Sequence, residues 1–362
     1  MCLCNTKAGR PQTRQRAHEN IKVVFLMEIM LQHFDMNENN AFKRQKYIPY
    51  TGKHCIERTG QEKLFYADLM ACIAYVCEYN EPPSFVVVAG GAPGVHFIKL
   101  IKMLPLTTQW HLYDPEAFHN ELAGIANVYL YRQLYTKKDC SKWVTQSNTL
   151  FLSDIRNVNY TPTVEIMQKL SAKLRSIPRH TRDKVQGNMA MDLKTQLRDL
   201  RQKIEDMAFE DMKNQAQMIK DTEAEMSFVK FRLPYAFDNT PLFYSYLKGR
   251  VFFQAMNRCN STECRLMVIP ENAHTFKQEQ VAAVFTDVMY DARKHEEQCA
   301  FINNNLRPEW DKQGIKILKD MYSRFYTDFN HMQKHSNEYK ASHGHVGWFK
   351  TEASAHRKRK QC

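Results

Sequence analysis

Phe85-Val86-Val87-Val88-Ala89-Gly90-Gly91-Ala92-Pro93-Gly94, continuing through Val95-His96-Phe97-Ile98-Lys99-Leu100-Ile101 to Leu104, is the stretch that decides the fold class. The β-prone apolar run Phe85 to Val88 reads as a strand buried on both faces, the habit of a central parallel strand. A glycine-rich turn follows, and then Phe97, Ile98, Ile101 and Leu104 recur at helical spacing. Strand, turn and helix in that order make a ligand site, because glycines let backbone come close and the helix start offers free N–H groups. The turn is neither GxGxxG nor followed by GK[ST], so a dinucleotide site or a P-loop is a poor reading. The remaining alternative is a plain strand-to-helix turn. If Gly94 meets the ligand, Gly94→Val is expected to block binding with little loss of fold.

Working outward, Gly60-Gln61-Glu62-Lys63 opens a helix expected to run to about Tyr79, ended by Glu81-Pro82-Pro83. Further upstream, residues 1–20 read as a basic arm and 21–34 as a first helix. Downstream, strands are expected at Gln109–Tyr113, Val128–Tyr131 and Thr149–Leu152. The first ends at Asp114, 24 residues past Gly90, about where a nucleotide-binding fold places an acid on a ribose diol. Asp114 otherwise simply caps the turn. Gln133 and Leu134 are candidates to flank an adenine. The strand at Thr149 ends in Ser153-Asp154. Thr161 to Glu225 has helical periodicity and reads as a surface helical hairpin. Three more strands are expected at Phe228–Tyr235, Val251–Met256 and Cys264–Val268, and helix from about Phe276 to Phe329.

The 362 residues have 43% hydrophobic content, enough for a packed core, and a net charge of +12, which favours a polyanionic partner. Ten cysteines show no zinc-type spacing and read as reduced thiols. Val23 to Leu31 is too short and too interrupted for a signal peptide or a membrane span. The tail holds His335, His343 and His345 and the basic run His356 to Lys360. No metal site is expected. The domain reading is an arm and first helix over 1–46 and a main domain over 47–270 with a helical insertion at about 161–225. A C-terminal helical region over 271–334 and a basic tail over 335–362 complete it.

Six motifs stand in order: GQEKLFYADL around Lys63, VVVAGGAPGVHF, WHLYDP at Asp114, LFLSDIR at Asp154, VKFRLPY at Lys230 and STECRLM at Glu263. The GxAPG turn resembles the S-adenosylmethionine loop of Rossmann-like RNA 2'-O-methyltransferases. Together the motifs, over roughly Tyr47 to Val268, resemble the cap-specific mRNA nucleoside-2'-O-methyltransferases of poxviruses. That family also serves as the small, processivity-conferring subunit of viral poly(A) polymerase. The resemblance implies a Rossmann-like α/β methyltransferase fold, with a central mostly parallel sheet, a helical insertion and basic termini. It implies S-adenosyl-L-methionine as cofactor, and capped mRNA and a catalytic poly(A) polymerase subunit as partners. The location implied is the host cytoplasm.

By that resemblance the catalytic tetrad falls on Lys63, Asp154, Lys230 and Glu263. Cofactor contacts fall on Gln61, Val88, Gly90, Gly94, Asp114, Glu116, Leu134 and Asp154, with Glu116 standing where the family has an arginine. Cap contacts fall on Arg232, Tyr235, Asp238, Ser261 and Glu263. Phe34 or Phe42 is a candidate second stacking aromatic, and Asp238 or Glu279 a candidate acceptor for the guanine edge. The tetrad also makes chemical sense by itself. A lysine acts as base only when burial and a second cation lower its pKa, while carboxylates orient the ammonium groups. A methyltransferase for ribosomal or transfer RNA, or a non-enzymatic RNA-binding subunit, are the alternative functions.

Overall fold

The computed structural model describes residues 36, 60–155, 161–177, 184–235, 242–254, 261–307, 309, 311–313 and 316. The helix expected over 21–34, Phe34, Phe42, Asp238 and the basic tail lie outside these described residues. The architecture is mixed α/β, with a mostly parallel seven-stranded central sheet. In chain order come α1 (Gly60–Tyr79), β1 (Phe85–Ala89), α2 (Phe97–Ile101), β2 (Gln109–Tyr113), α3 (Asn120–Ala123), β3 (Val128–Tyr131), α4 (Lys137–Cys140) and β4 (Thr149–Ser153). Then follow α5 (Thr161–Ser176), α6 (Lys184–Thr222), β5 (Met226–Phe231), β6 (Phe243–Leu247), β7 (Arg250–Phe253) and β8 (Cys264–Val268). The described chain continues through α7 (Phe276–Glu279), β9 (Asp287–Asp291), α8 (Ala292–Phe301) and a π-helical turn, Ile302–Leu306.

The sheet order is β3-β2-β1-β4-β5-β8-β7. Strands β1 to β5 run parallel, β8 is antiparallel to β5, and β7 is antiparallel to β8. Strand order reverses between β1 and β4, so the crevice at their carboxyl ends is where an open sheet of this kind places ligands. The period-2 alternation of strand side chains decides which face each residue serves. Val86, Val88, Leu150, Leu152, Phe228 and Met267 face α1 in one core. Val87, Ala89, Phe151, Val229, Phe231 and Leu266 face the other core, with Met212 and Ile219 of α6 and Ala292 and Cys299 of α8. Both faces are covered, which is why β1 can be apolar at every position. No described helix is long and apolar enough to cross a membrane.

Three expectations change. The segment from Phe276, expected to be helical throughout, contains β9, which pairs antiparallel with β6 from Phe243↔Asp291 to Leu247↔Asp287. Helix α8 starts only at Ala292, capped by Asp291, whose side chain accepts from the Lys294 N–H at 2.8 Å. Pairing with β6, a distant strand, overrides the local helical pattern. The strand at Phe228 ends at Phe231, short of Leu233-Pro234, where the proline has no N–H for a ladder. The helical hairpin forms, but α6 is no mere surface appendage: it packs on the sheet and walls the site.

Candidate active site at the carboxyl edge of the sheet

Lys63, Asp154, Lys230 and Glu263 come from α1, the end of β4, β5 and the approach to β8, and the fold brings all four together. Lys63 Nζ donates to Glu263 Oε1 at 2.9 Å, and Lys230 Nζ lies 2.9 Å from Glu263 Oε2 and 3.6 Å from Asp154 Oδ1. Glu263 therefore bridges two lysines, one on each oxygen. Its position is fixed locally by its own N–H, which donates to Ser261 Oγ at 3.1 Å. Burial raises the Glu263 pKa, but Lys230, Lys63 and Arg265 overcome it and hold the carboxyl well below the usual carboxylate range.

Two further members were not legible as site residues. Arg265, 2% exposed, sets Nη1 3.3 Å from Asp154 Oδ1. Although burial works against its charge, Asp154 and Glu263 raise its pKa further. Gln254, 1% exposed, sits between the two: with its amide nitrogen toward Glu263 Oε1 (3.0 Å), its oxygen accepts from Arg265 Nη2 (3.3 Å). Arg265 lies two residues past Glu263 in the STECRLM motif, so the signal that existed was a charged residue inside a strand otherwise apolar from Cys264 to Val268.

The glycine turn lies beside this cluster. Gly90 adopts φ +85°, and a Cβ there would stand 3.2 Å from the Asp154 carbonyl carbon, so only glycine fits the close pass of β1 against β4. Gly94 adopts φ +70°, but its missing Cβ points inward, 2.9 Å from both Gly91 O and Leu122 Cδ1. A side chain there would spoil the turn's own packing, which corrects the expectation that Gly94→Val spares the fold. Asp114 Oδ2 accepts from the Ala92 N–H at 3.0 Å and Oδ1 from the Glu116 N–H at 2.9 Å. The carboxylate thus ties the turn to the end of β2 and caps its own turn as well. Gln61 reaches His96 instead of open space: its Oε1 is 3.0 Å from His96 Nδ1, while Asp68 Oδ2 is 2.9 Å from Nε2. Val88 is buried in the α1-side core, Glu116 is exposed, and Leu134 is 58% exposed beyond β3. Gln133 is occupied by Asp139, to which its amide donates at 3.2 Å.

On the other side of Lys230, a cavity of ≈ 360 Å³ is lined by Lys230, Arg232 and Glu263 together with Ile155, Met212 and Gln215. Arg232 Nη1 is 2.8 Å from Glu205 Oε2 on α6, and the Tyr235 N–H donates to the same oxygen at 3.1 Å. The Arg232 guanidinium lies 4.9 Å from the Tyr235 ring centroid. Gln215 of α6 donates to the Lys230 carbonyl at 2.8 Å. The insertion therefore positions two of the residues expected at a cap site. Glu279 is elsewhere: neighbouring Lys277 donates to the Trp143 carbonyl at 3.0 Å, near the start of β4 and opposite the end that carries Asp154.

Residues 23–172 match the family model of the poly A polymerase regulatory subunit. That stretch takes in α1, the glycine turn and β1 to β4, and with them Lys63 and Asp154; Lys230 and Glu263 follow it. A comparison with curated proteins gives no match.

Proposed function

We propose that this chain transfers the methyl group of S-adenosyl-L-methionine to the 2'-hydroxyl of the first transcribed nucleotide of capped mRNA. The observation that carries the reading is the meeting of Lys63, Asp154, Lys230 and Glu263, from four separate elements, beside a glycine turn and an open cavity. The mostly parallel sheet, with its strand-order reversal at β1/β4 and antiparallel β8, suits a Rossmann-like methyltransferase. On this reading the protein works in the host cytoplasm.

The residues present fit the cofactor. Gly90 lets the turn pass close against the Asp154 backbone, so turn and carboxylate share one edge, and each Asp114 oxygen, engaged by one backbone N–H, keeps acceptor capacity for a ribose hydroxyl. Exposed Leu134 offers an apolar surface at the same edge. When bound, S-adenosyl-L-methionine supplies an electrophilic methyl on a sulfonium. The protein's task is to hold the 2'-hydroxyl in line and take its proton.

Three cations (Lys63, Lys230 and Arg265) face two carboxylates (Asp154 and Glu263) in a largely buried cluster. Arg265 cannot give up a proton, which leaves the two lysines as the candidate bases. Lys230 sits between both carboxylates and lines the cavity, so its amine is the group placed to accept the proton of a hydroxyl held there. Asp154 and Glu263 then stabilise and orient the ammonium that results. Most of the rate comes from positioning the nucleophile. Tyr235, held by Glu205 and carrying Arg232 over one side of its ring, offers the other side to a positively charged 7-methylguanine.

A second role, as a regulatory subunit beside a catalytic poly(A) polymerase, is supported by the family match over residues 23–172. The deciding experiment is a methylation assay on capped and uncapped versions of one short RNA. Cap-dependent 2'-O-methylation is the expected result. Equal methylation of both would favour a ribosomal or transfer RNA substrate, and none with either would leave the non-enzymatic regulatory role.

A further inference from the structure

On the opposite face of the sheet from Arg265, Cys264 of β8 meets His295 and Cys299 of α8. Cys264 Sγ is 3.8 Å from Cys299 Sγ, and Cys299 Sγ is 3.8 Å from His295 Nε2. All three are buried, their donor atoms lie within 4.8 Å of one another, and among the described residues they are the cluster with metal-ligand character. His295 and Cys299 are four apart on one helix, so they share a face, and Cys264 supplies the third donor from the strand below. The Thr262 carbonyl oxygen closes the figure, 3.0 Å from His295 Nε2 and 3.9 Å from Cys299 Sγ.

We propose that Cys264, His295 and Cys299 bind one structural Zn²⁺ ion, with the Thr262 carbonyl as the fourth donor. Two thiolates each about 2.3 Å from a tetrahedral zinc stand about 3.8 Å apart, and a thiolate and an imidazole nitrogen about 3.6 Å. The observed 3.8 Å separations are those edges. Two sulfurs and a nitrogen in tetrahedral array select zinc over hard cations. Two thiolates also neutralise Zn²⁺, which suits a fully buried position.

Zinc binding would release the protons of both thiols. Thr262 and Cys264 flank Glu263, so the ion would pin the strand end that presents the bridging carboxylate. The site is structural and supplies no step of methyl transfer. Sequence spacing hid it, since the pattern is a Cys on a strand paired with His-x-x-x-Cys on a helix about thirty residues on.

The test uses the full chain, purified without a histidine tag under reducing conditions. Elemental analysis should find about one zinc per chain. Replacement by Co²⁺ should give an intense thiolate-to-cobalt charge-transfer band, which the tail histidines cannot produce. Cys299→Ser and His295→Ala should each lose most of the metal and lower the melting temperature, and zinc should raise that temperature in the wild type alone. Wild-type protein that is folded by circular dichroism yet takes up neither ion would overturn the proposal. So would cobalt binding without the charge-transfer band, or a Cys264–Cys299 disulfide in place of metal. These readouts are independent of methyl transfer.

Discussion

Lys230 on β5 stands directly opposite Arg265 on β8 in the antiparallel register. Like charges so placed destabilise a sheet unless something intervenes. Here Asp154 intervenes, 3.6 Å from the lysine amine and 3.3 Å from the guanidinium on the same oxygen, and Glu263 takes the other side of Lys230. The arrangement ties the proposed chemistry to fold stability, because removing either carboxylate strands a cation: Lys63 pairs with Glu263, and Arg265 with Asp154.

Lys230→Arg keeps the charge but cannot release a proton in water. It should retain RNA and cofactor binding while slowing methyl transfer by about 10²–10⁴-fold, the usual worth of a general base. Lys230→Met should do the same. The wild-type single-turnover rate should rise with pH through one ionisation. Near-normal transfer in Lys230→Arg would remove Lys230 from the role of base.

Glu263 should make the fold acid-sensitive. Its ordinary value is 4.5, and despite burial the three cations hold it well below that in the folded protein. A carboxyl lowered in the fold stabilises it fully above 4.5, and that contribution is lost as pH falls from there toward the folded value. Glu263→Gln should melt lower at neutral pH, by about 3–5 kcal/mol of stability, but should lose less on acidification than the wild type. Parallel melting curves from about pH 6 down to pH 3 would show that the charge of Glu263 contributes nothing.

Glu205→Ala should release Arg232 and Tyr235 together. The expected effect is a rise in KM for capped RNA of about tenfold, about 1.4 kcal/mol, with cofactor affinity unchanged. Tyr235→Ala should lose discrimination between 7-methylated and unmethylated caps. If both variants keep wild-type selectivity, the cap binds away from the Arg232–Tyr235 face.

The glycine turn predicts a split between binding and folding. Asp114→Ala removes the acceptor that holds the Ala92 N–H and should weaken S-adenosylhomocysteine binding by about 1–3 kcal/mol in calorimetry. Gly94→Val should instead lower the melting temperature, because its side chain would meet Gly91 O and Leu122. A Gly94→Val protein as stable as wild type would contradict the packing at that turn.

By itself, the sequence determined the repetitive and local features. Short apolar runs marked β1 to β4 and β8 to within a residue, most directly β1, whose continuous run fits a strand covered on both faces. Glycines where φ is positive marked the turn, and the ordered motifs picked out Lys63, Asp154, Lys230 and Glu263. Tertiary structure decided what depends on distant partners. It made residues 287–291 a strand by supplying β6, and it bound Gln61 to His96. It also set Glu205 of the insertion on Arg232, and placed Arg265 and Gln254 within the charge cluster. The convergence of Cys264 with His295 and Cys299 is of the same kind. Hydrophobic periodicity reports which face of an element is buried, whereas the pairing of buried polar groups depends on which elements meet, and only the folded chain specifies that.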